Sequence, residues 1–306
     1  MPKSWPRVSV ILVTALVVLA PLALVLYQSF LNNPFFVPKV QFTLSAYDYV
    51  LNDEDFHAAF LNSLMIATGM TAIAVPLGGL LAFLMVRTDL PGRRWLEPLL
   101  LLPVFLSPVV LAFGYVVAAG PVGFLSLPAE SLFGHVPWDI YSIYGLVLVA
   151  GLTHVPHVYL YASSALRGVS SDLEEAARVG GAGPWRVALD VSLPMVMPAL
   201  LYSGMLVFFL GFELFGLPLV LGDPQGILVM STYLYKLTNL LGTPSYQLMA
   251  VVVVALVFVT FPLVILQRRL LRQAGKYVTL KGKGARQTPL KLGGWKWLAL
   301  AILGLW

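Results

Sequence analysis

Six long apolar runs constrain what this chain of 306 residues can fold into. Each run has about 20 residues or more, and a helix of that length crosses the hydrocarbon core of a bilayer. Only 11% of the residues are charged, against about 25% in a typical soluble domain. The chain has too few charges to cover a water-facing surface, so we predict an all-α, polytopic membrane protein. The predicted spans are Val8–Phe30, His57–Val86, Leu96–Ala118, Tyr141–Ala165, Met195–Leu221 and Tyr246–Leu266.

Prolines interrupt several of these runs. Pro76, close to Gly78 and Gly79, predicts a kink in the second span. Pro103 and Pro108 interrupt the third span. Such breaks are tolerated in lipid where neighbouring helices satisfy the freed carbonyl groups. We therefore expect the broken spans to be packed against protein.

The basic residues are distributed unevenly between the two sides of this topology. The outer loops hold two of them, Lys39 and Lys236, whereas the remaining 17 of the 19 lie on the other side. An excess of Lys and Arg marks the cytoplasmic side of a membrane protein, so the N-terminus is expected in the cytoplasm. The net charge of +5 therefore indicates topology and contact with lipid headgroups. No basic patch interleaved with aromatic residues suggests nucleic-acid binding.

A polar interruption separates the fourth and fifth predicted spans. Ser171 and Glu174 form a capping-box pattern, which predicts a helix that begins at Asp172. The glycines within residues 180–183 end this helix, and Pro184 suits the first position of a second short helix. Two short helices at an angle, held between membrane spans, would form a protrusion rather than a pocket.

This loop resembles the EAA loop in permeases of type I, binding-protein-dependent ABC importers. The family pattern is Glu-Ala-Ala, three residues, Gly, nine residues, an aliphatic residue, one residue and then Leu-Pro. The chain matches every fixed position, with Val in place of the commoner Ile. The matching residues are Glu175, Ala176, Ala177, Gly181, Val191, Leu193 and Pro194. The resemblance implies that the loop, residues 166–195, docks on a cytoplasmic ATPase.

The same resemblance implies a six-helix permease unit in a bacterial inner (plasma) membrane. Its implied partners are a dimer of cytoplasmic ABC ATPase subunits, an extracytoplasmic substrate-binding protein, a second permease unit and the bilayer. ATP would be bound by the ATPase, so this chain would be a transport subunit without a cofactor and not an enzyme. Glu175 would contact the ATPase. Gly181 and the junction Leu193–Pro194 would make the link rigid.

A narrower resemblance concerns the substrate. Residues 211–224, 232–238 and 276–284 look like the first unit of permeases in which two six-span units are fused. The iron(III) permeases are the best-known branch of that group, so the resemblance implies iron(III) import. Thiamine, polyamine or phosphonate import stays open, because related fused permeases take these substrates.

The pattern of charge and hydropathy predicts a division of the chain. Residues 1–57 would hold the first span and an outer loop, residues 58–271 the core permease domain, and residues 272–294 a basic cytoplasmic linker. A new apolar run, residues 295–306, is too short to cross a bilayer. We interpret it as the start of a seventh span in a longer chain. A segment held at the membrane interface by tryptophans is the alternative.

Three ionisable residues are candidates for the translocation path. Glu213 lies within the fifth predicted span, where a charge costs about 2.5 to 3.5 kcal/mol on insertion scales. Glu213 is expected to line the translocation path or to tie the fifth span to the partner unit. The alternative is that it lies near the outer end of this span and is simply hydrated. His154 and His157 share one helical face and could meet a cation, although an interhelical hydrogen bond is favoured. Two histidines without any cysteine under-coordinate most metals, so no metal site is predicted.

The sequence offers no motif for ATP hydrolysis or for zinc-dependent catalysis. It contains neither a Gly-x-x-x-x-Gly-Lys-[Ser/Thr] phosphate-binding loop nor a His-Glu-x-x-His zinc motif.

An ion-coupled secondary transporter is an alternative of a different class. It would require several ionisable residues at membrane depth, and it would leave the EAA pattern unexplained.

Overall fold

The computed structural model describes residues 5–168, 171–239, 245–274 and 295–305. These residues form helices joined by turns, and Leu31 and Phe42 make an isolated antiparallel bridge. The all-α prediction is therefore confirmed. The helices of membrane-spanning length are α1 (Trp5–Ser29), α3 (Glu54–Arg87), α7 (Ile143–Gly168), α10 (Leu193–Glu213) and α12 (Tyr246–Ala274). The shorter helices are α2 (Ser45–Asn52), α4 (Arg93–Leu101), α5 (Pro108–Ala119), α6 (Ser126–Phe133), α8 (Ser171–Val179), α9 (Pro184–Val187), α11 (Met230–Asn239) and α13 (Lys296–Leu305).

By length and composition, five helices of the described residues are able to cross a membrane, and one bent pair of helices makes a sixth candidate. This agrees with the six predicted spans. The bent pair covers the predicted third span, Leu96–Ala118, which is therefore two helices and not one straight helix. Residues 93–105 and 108–119 meet at an angle of 112°. The bend follows from Pro103 and Pro108, because each lacks an N–H and restricts the residue before it.

The fifth span also differs from its prediction. Helix α10 ends at Glu213, short of the predicted Leu221, and Leu214 adopts an extended conformation. A turn of π-helix then covers Pro218–Gly222. A regular helix through this point would set the ring of Pro218 against the carbonyl of Leu214, which explains the early end.

Pro76 does not interrupt the second span. Helix α3 is continuous from Glu54 to Arg87. The neighbouring glycine serves close packing, because a Cβ at Gly78 would lie 2.6 Å from Cβ of Val158 and 2.9 Å from the carbonyl oxygen of Val155. The backbones of α3 and α7 therefore approach each other closely at this level.

The chain divides into two compact units. One contains residues 1–60 and 230–263, and the other contains residues 61–229 and 264–306. The second unit has an apolar core made by α3, α7 and α10, which includes Tyr159, a fully buried side chain. The domain division from the sequence is untested by these units and stays a prediction.

The last described segment belongs to the second unit. Helix α13 has ten residues, about 15 Å, so it covers roughly half the thickness of a bilayer core. Ala299 is buried against the apolar core, and Nζ of Lys296 lies 2.8 Å from a carboxylate oxygen of Asp89. Residues 275–294, most of the predicted linker, lie outside the described residues.

A glycine contact between α10 and α3 gives a direct test of this packing. A Cβ at Gly211 would lie 2.6 Å from the Cα of Ala67, which is backbone and has no room to move aside. We expect Gly211→Ala to lower the midpoint of thermal unfolding of the detergent-purified protein. Gly114→Ala is the matched control, since that helical glycine has open space around it and alanine is favoured in helices by about 1 kcal/mol. Equal midpoints for the two variants would contradict the close approach.

Candidate functional site

The polar loop between α7 and α10 begins with α8, which ends in a well-defined C-terminal motif. The helix starts at Ser171, one residue before the predicted start. The N–H of Ala182 donates to the carbonyl of Ala177, and the N–H of Gly181 donates to that of Arg178. This pair of bonds is the Schellman pattern, and it requires a left-handed residue after the helix. Gly181 supplies it with a φ of 86°.

The second half of the loop is not a separate short helix. Helix α9 begins at Pro184, as predicted, but it continues through a π-helical turn, Ala188–Ser192, directly into α10. The N–H of Leu193 donates to the carbonyl of Ala188, five residues earlier. Pro194 has no N–H to give to the carbonyl of Asp190, and this missing bond disfavours a regular α-turn here. The junction Leu193–Pro194 is therefore part of one continuous helical segment that runs from α9 into α10.

The structure places the family-pattern residues on the outside of this loop. Glu175, Ala176, Gly181 and Leu193 are exposed. Ala177, Val191 and Pro194 are half-buried. The last residue of α8, Val179, is 90% exposed, which is unusual for a β-branched apolar side chain. Among its described residues, the loop thus presents small and apolar groups together with the carboxylates of Glu175 and Asp190.

Beneath this surface lies a buried polar cluster around Glu174. The hydroxyl of Ser192 donates to Oε1 of Glu174 over 2.8 Å. Nε of Arg87, the last residue of α3, lies 3.5 Å from the same oxygen, as an ion pair rather than an aligned hydrogen bond. Arg87, Glu174 and Ser192 are 4%, 4% and 2% exposed. The cluster therefore joins α3, α8 and the π-turn inside the protein.

Helix ends stabilise both charges of this cluster. Nη2 of Arg87 donates to the carbonyl of Leu166, 2.8 Å away in the last turn of α7. Glu174 lies near the start of α8, and Nη2 of Arg178 lies 4.0 Å from its Oε2. Cations are favoured at helix C-termini and anions at N-termini. Removal of one member of a buried ion pair costs about 3 to 5 kcal/mol, because the other charge is left unpaired.

Sequence reasoning missed this cluster. It assigned Glu174 to a capping box with Ser171, whereas the carboxylate of Glu174 contacts Ser192 and Arg87. The side chain of Ser171 lies outside the described residues. Two signals pointed to the cluster. Arg87 directly follows a long apolar run, and Ser192 is the variable residue between two fixed positions of the family pattern.

A second polar contact joins the start of the third span to the end of α7. The hydroxyl of Tyr159, fully buried, donates to Oε1 of Glu97 over 2.9 Å, and Nη2 of Arg167 lies 2.5 Å from the same oxygen. Glu97 lies inside the predicted third span and was also missed. The Arg167 contact lies at the same end of α7 as the Glu174 cluster, but its side chains are largely exposed, whereas Tyr159 lies further along α7 and is buried.

A comparison with known families now decides the assignment. Residues 74–275 match the family described as the binding-protein-dependent transport system inner membrane component. The chain belongs to this family. The matched range contains the whole loop and its buried cluster. The protein is thus an ABC importer permease, a multi-pass protein of the inner membrane, and the ion-coupled alternative is not supported.

Curated relatives of this permease differ in the substrates that their names give. Over 159 residues it is 34% identical to the molybdenum transport system permease protein ModB of Escherichia coli K12, covering 52% of this chain and 68% of the relative. Over 200 residues it is 31% identical to the putative 2-aminoethylphosphonate transport system permease protein PhnU of Salmonella typhimurium, covering 63% and 68%. Over 274 residues it is 26% identical to the diacetylchitobiose uptake system permease protein NgcG of Streptomyces coelicolor, covering 86% and 84%.

Solved structures support the fold. A bacterial ABC transporter involved in import of the acidic polysaccharide alginate matches with a TM-score of 0.72 and 19% identity, over 89% of this chain and 96% of that chain. The MetNI methionine ABC transporter, in inward-facing conformations, matches with a TM-score of 0.52 and 16% identity, over 72% and 99%. At this identity the likeness concerns the fold alone.

The structure places the three candidate path residues on α7 and α10 of the permease. His154 and His157 do share a face, with ring centroids 5.1 Å apart. Nδ1 of His154 lies 2.8 Å from the carbonyl oxygen of Ala150 in its own helix, and an interhelical bond of these histidines stays a prediction. The described residues contain no group of three metal-ligating side chains. Glu213 is exposed at the last residue of α10. This placement agrees with a hydrated carboxylate, and a role in the path stays a hypothesis.

The other compact unit of the permease has two polar contacts between α11 and the start of α3, Tyr233 with Asp53 and Lys236 with Asp55, which we call the clasp. The hydroxyl of Tyr233, on α11, donates to Oδ2 of Asp53, just before α3. Nζ of Lys236 lies 2.5 Å from Oδ2 of Asp55. Tyr233 is 1% exposed. Burial in the first place, and the hydrogen bond to Asp53 in the second, raise the pKa of Tyr233 far above its usual value of about 10.

This raised pKa predicts a pH-dependent stability. The bond to Asp53 stabilises the fold fully below about pH 10, and its contribution is lost as the pH rises above that value, because the unfolded tyrosine then ionises first. We expect Tyr233→Phe to lower the free energy of unfolding by a constant amount between about pH 6 and about pH 9, and by less at higher pH. Chemical unfolding of the detergent-purified protein measures this. Tyr144→Phe, at a tyrosine that is 78% exposed, is the control, and an identical profile for both variants would contradict the clasp.

Proposed function

We propose that the loop α8–α9 of this permease couples a cytoplasmic ATPase to the membrane helices of an ATP-driven, binding-protein-dependent importer. One observation carries the proposal. Two adjacent glutamates of α8 have opposite environments, with Glu174 buried against α3 and the π-turn and Glu175 exposed. A coupling element needs both features, since it must present a surface to the ATPase and must be fixed to the spans that it moves.

The partners follow from this role. A dimer of ATPase subunits would dock on the loop from the cytoplasm, where the N-terminus of the chain would also lie. Outside, a substrate-binding protein would deliver the substrate to the outer loops. A second permease unit, fused to this chain or separate, would complete the pathway in the bilayer of the inner membrane. The excess of Lys and Arg on the side of the loop supports this orientation.

The transport cycle begins when the loaded binding protein docks on the outer surface. ATP binding closes the two ATPase subunits, and their movement displaces α8. Because α8 is joined to α3 and α10 through the Glu174 cluster, the displacement reaches the spans and opens the pathway outward. Hydrolysis of ATP by the ATPase resets the transporter. Glu175, Ala176, Ala177 and Gly181 would form the contact surface, and Val191, Leu193 and Pro194 the junction with the span.

Iron(III) is our proposed substrate. It is supported by the resemblance of residues 211–224 and 232–238 to the first unit of fused iron(III) permeases. A phosphonate is the second candidate, because a relative 31% identical over 200 residues is named for 2-aminoethylphosphonate transport. Thiamine and polyamines have weaker support.

The coupling role predicts the effect of two loop variants. Gly181 has open space around it but a φ of 86°, so a β-branched residue there strains the backbone by about 1 to 2 kcal/mol and disturbs the Schellman turn. We expect Gly181→Val to reduce transport per ATP hydrolysed in proteoliposomes, with normal membrane insertion. Glu175→Lys is expected to reduce co-purification of the ATPase.

Gly226→Val is the control for backbone strain, because Gly226 has a φ of 73° and equally open surroundings outside the loop. If the Gly181 and Gly226 variants lose transport to the same degree, strain alone explains the loss and the coupling role is wrong.

The substrate is tested by uptake in cells that carry or lack the intact gene. We expect uptake of radioactive iron(III) at low external iron to fall in the deletion strain and to fall equally with Glu175→Lys. The strain must lack other iron importers. Unchanged iron uptake together with lost growth on 2-aminoethylphosphonate would replace iron by the phosphonate and leave the permease assignment intact.

A further inference from the structure

The π-turn at the start of α10 lies between a polar contact and an apolar cavity. On one side the hydroxyl of Ser192 donates to Glu174. On the other side, Ala188, Leu189 and Ser192 line an apolar cavity of about 250 Å³, together with Val75 and Gly79 of α3. A π-turn carries one extra residue compared with an α-turn, and such turns are frequent at functional sites. The π-turn is therefore not closely packed on the side of the cavity.

We propose that Glu174 is the positioning residue of the coupling loop: its buried carboxylate holds α8 in register with the end of α3 and with the π-turn, so that α8, the π-turn and α10 move as one body. This inference rests on the proposed function. It adds a residue outside the seven fixed positions of the family pattern and separates two roles, because Glu175 would contact the ATPase whereas Glu174 would transmit the movement.

The geometry supports this division of roles. Glu174 contacts groups from three different segments, namely Arg87 at the end of α3, Ser192 in the π-turn and Arg178 one turn along α8. Arg87 also donates to the last turn of α7. A single buried carboxylate thus closes a ring of contacts around the point where the loop joins the spans. Without its charge, the ion pair to Arg87 is lost, and the hydrogen bond from Ser192 is left as the remaining polar contact of residue 174 with the spans.

The test uses the complete transporter, reconstituted with its ATPase in proteoliposomes. The chain has no cysteine, so a single introduced cysteine reports on one position. A spin label at Val179→Cys, 90% exposed at the end of α8, reports the mobility of the loop. A cysteine at Leu201→Cys, 36% exposed on α10, reports the ATP-dependent change in its reaction with a water-soluble maleimide.

We expect Glu174→Gln, which keeps the shape and an acceptor for Ser192, to raise the mobility of the label on α8. Coupling between sites typically corresponds to factors of about 5 to 150, so the ATP-dependent change at residue 201 should fall at least about fivefold. ATP hydrolysis should continue. Ser192→Ala removes only the donor to Glu174 and should shift both readouts in the same direction by a smaller amount. If Glu174→Gln fails to insert into the membrane, the result with Ser192→Ala tests the proposal in its place.

Asp190→Asn is the matched control, since it makes the same kind of chemical change at an exposed carboxylate of the same loop. If Glu174→Gln and Ser192→Ala both behave like Asp190→Asn, the positioning role is overturned. The Glu175→Lys variant distinguishes this failure from failure of the proposed function. If Glu175→Lys loses co-purification of the ATPase, the proposed coupling function of the loop stands even when the positioning role of Glu174 is overturned. Normal co-purification would remove the basis of both proposals.

Discussion

The absence of water from the bilayer core determines how this permease uses its few charges. Backbone groups at that depth are satisfied within helices, and an isolated charge there is expensive. The ionisable groups with functional geometry accordingly lie at helix ends. Arg87 closes α3, Glu174 lies in the first turn of α8, and Arg167 lies in the last turn of α7. Helix dipoles favour each charge at its end, so the ends of the spans are the places where specific polar contacts form at low cost.

Two ion pairs of the same compact unit are unequal in their energetic consequences. Arg87 and Glu174 have side chains that are 4% and 6% exposed, whereas those of Arg167 and Glu97 are 55% and 36% exposed. Exposed pairs contribute about 0 to 1 kcal/mol, because water screens them and the side chains lose entropy. A buried pair need not stabilise the fold relative to apolar residues, yet breaking it is costly, so it fixes one arrangement against others. The Glu174 cluster is therefore suited to determine position, and the Glu97 contact with Arg167 is not.

The sequence predicted the parts of this molecule that depend on local pattern. Apolar length located the spans, and the glycines after α8 and Pro184 located the two ends of the turn, because a left-handed residue and a missing N–H act within a few residues. Prediction failed where distant segments decide. Pro103 and Pro108 predicted the interruption of the third span, but the size of the bend there, the early end of α10 and the π-turn depend on how prolines are accommodated in packed helices. The contact between Arg87 and Glu174 joins residues far apart in sequence, and no local pattern specifies it.

The loop illustrates why a fixed sequence pattern does not by itself identify the residues that transmit movement. The pattern residues are largely exposed, and an exposed residue affects its own protein only through the backbone that carries it. For the displacement of α8 to reach α10, the segment between them must resist bending, yet a π-turn beside a cavity of about 250 Å³ gives this segment freedom to bend. A contact that crosses the π-turn and joins both sides removes this freedom. The hydrogen bond from Ser192 to Glu174 is such a contact, and its burial protects it from competition by water.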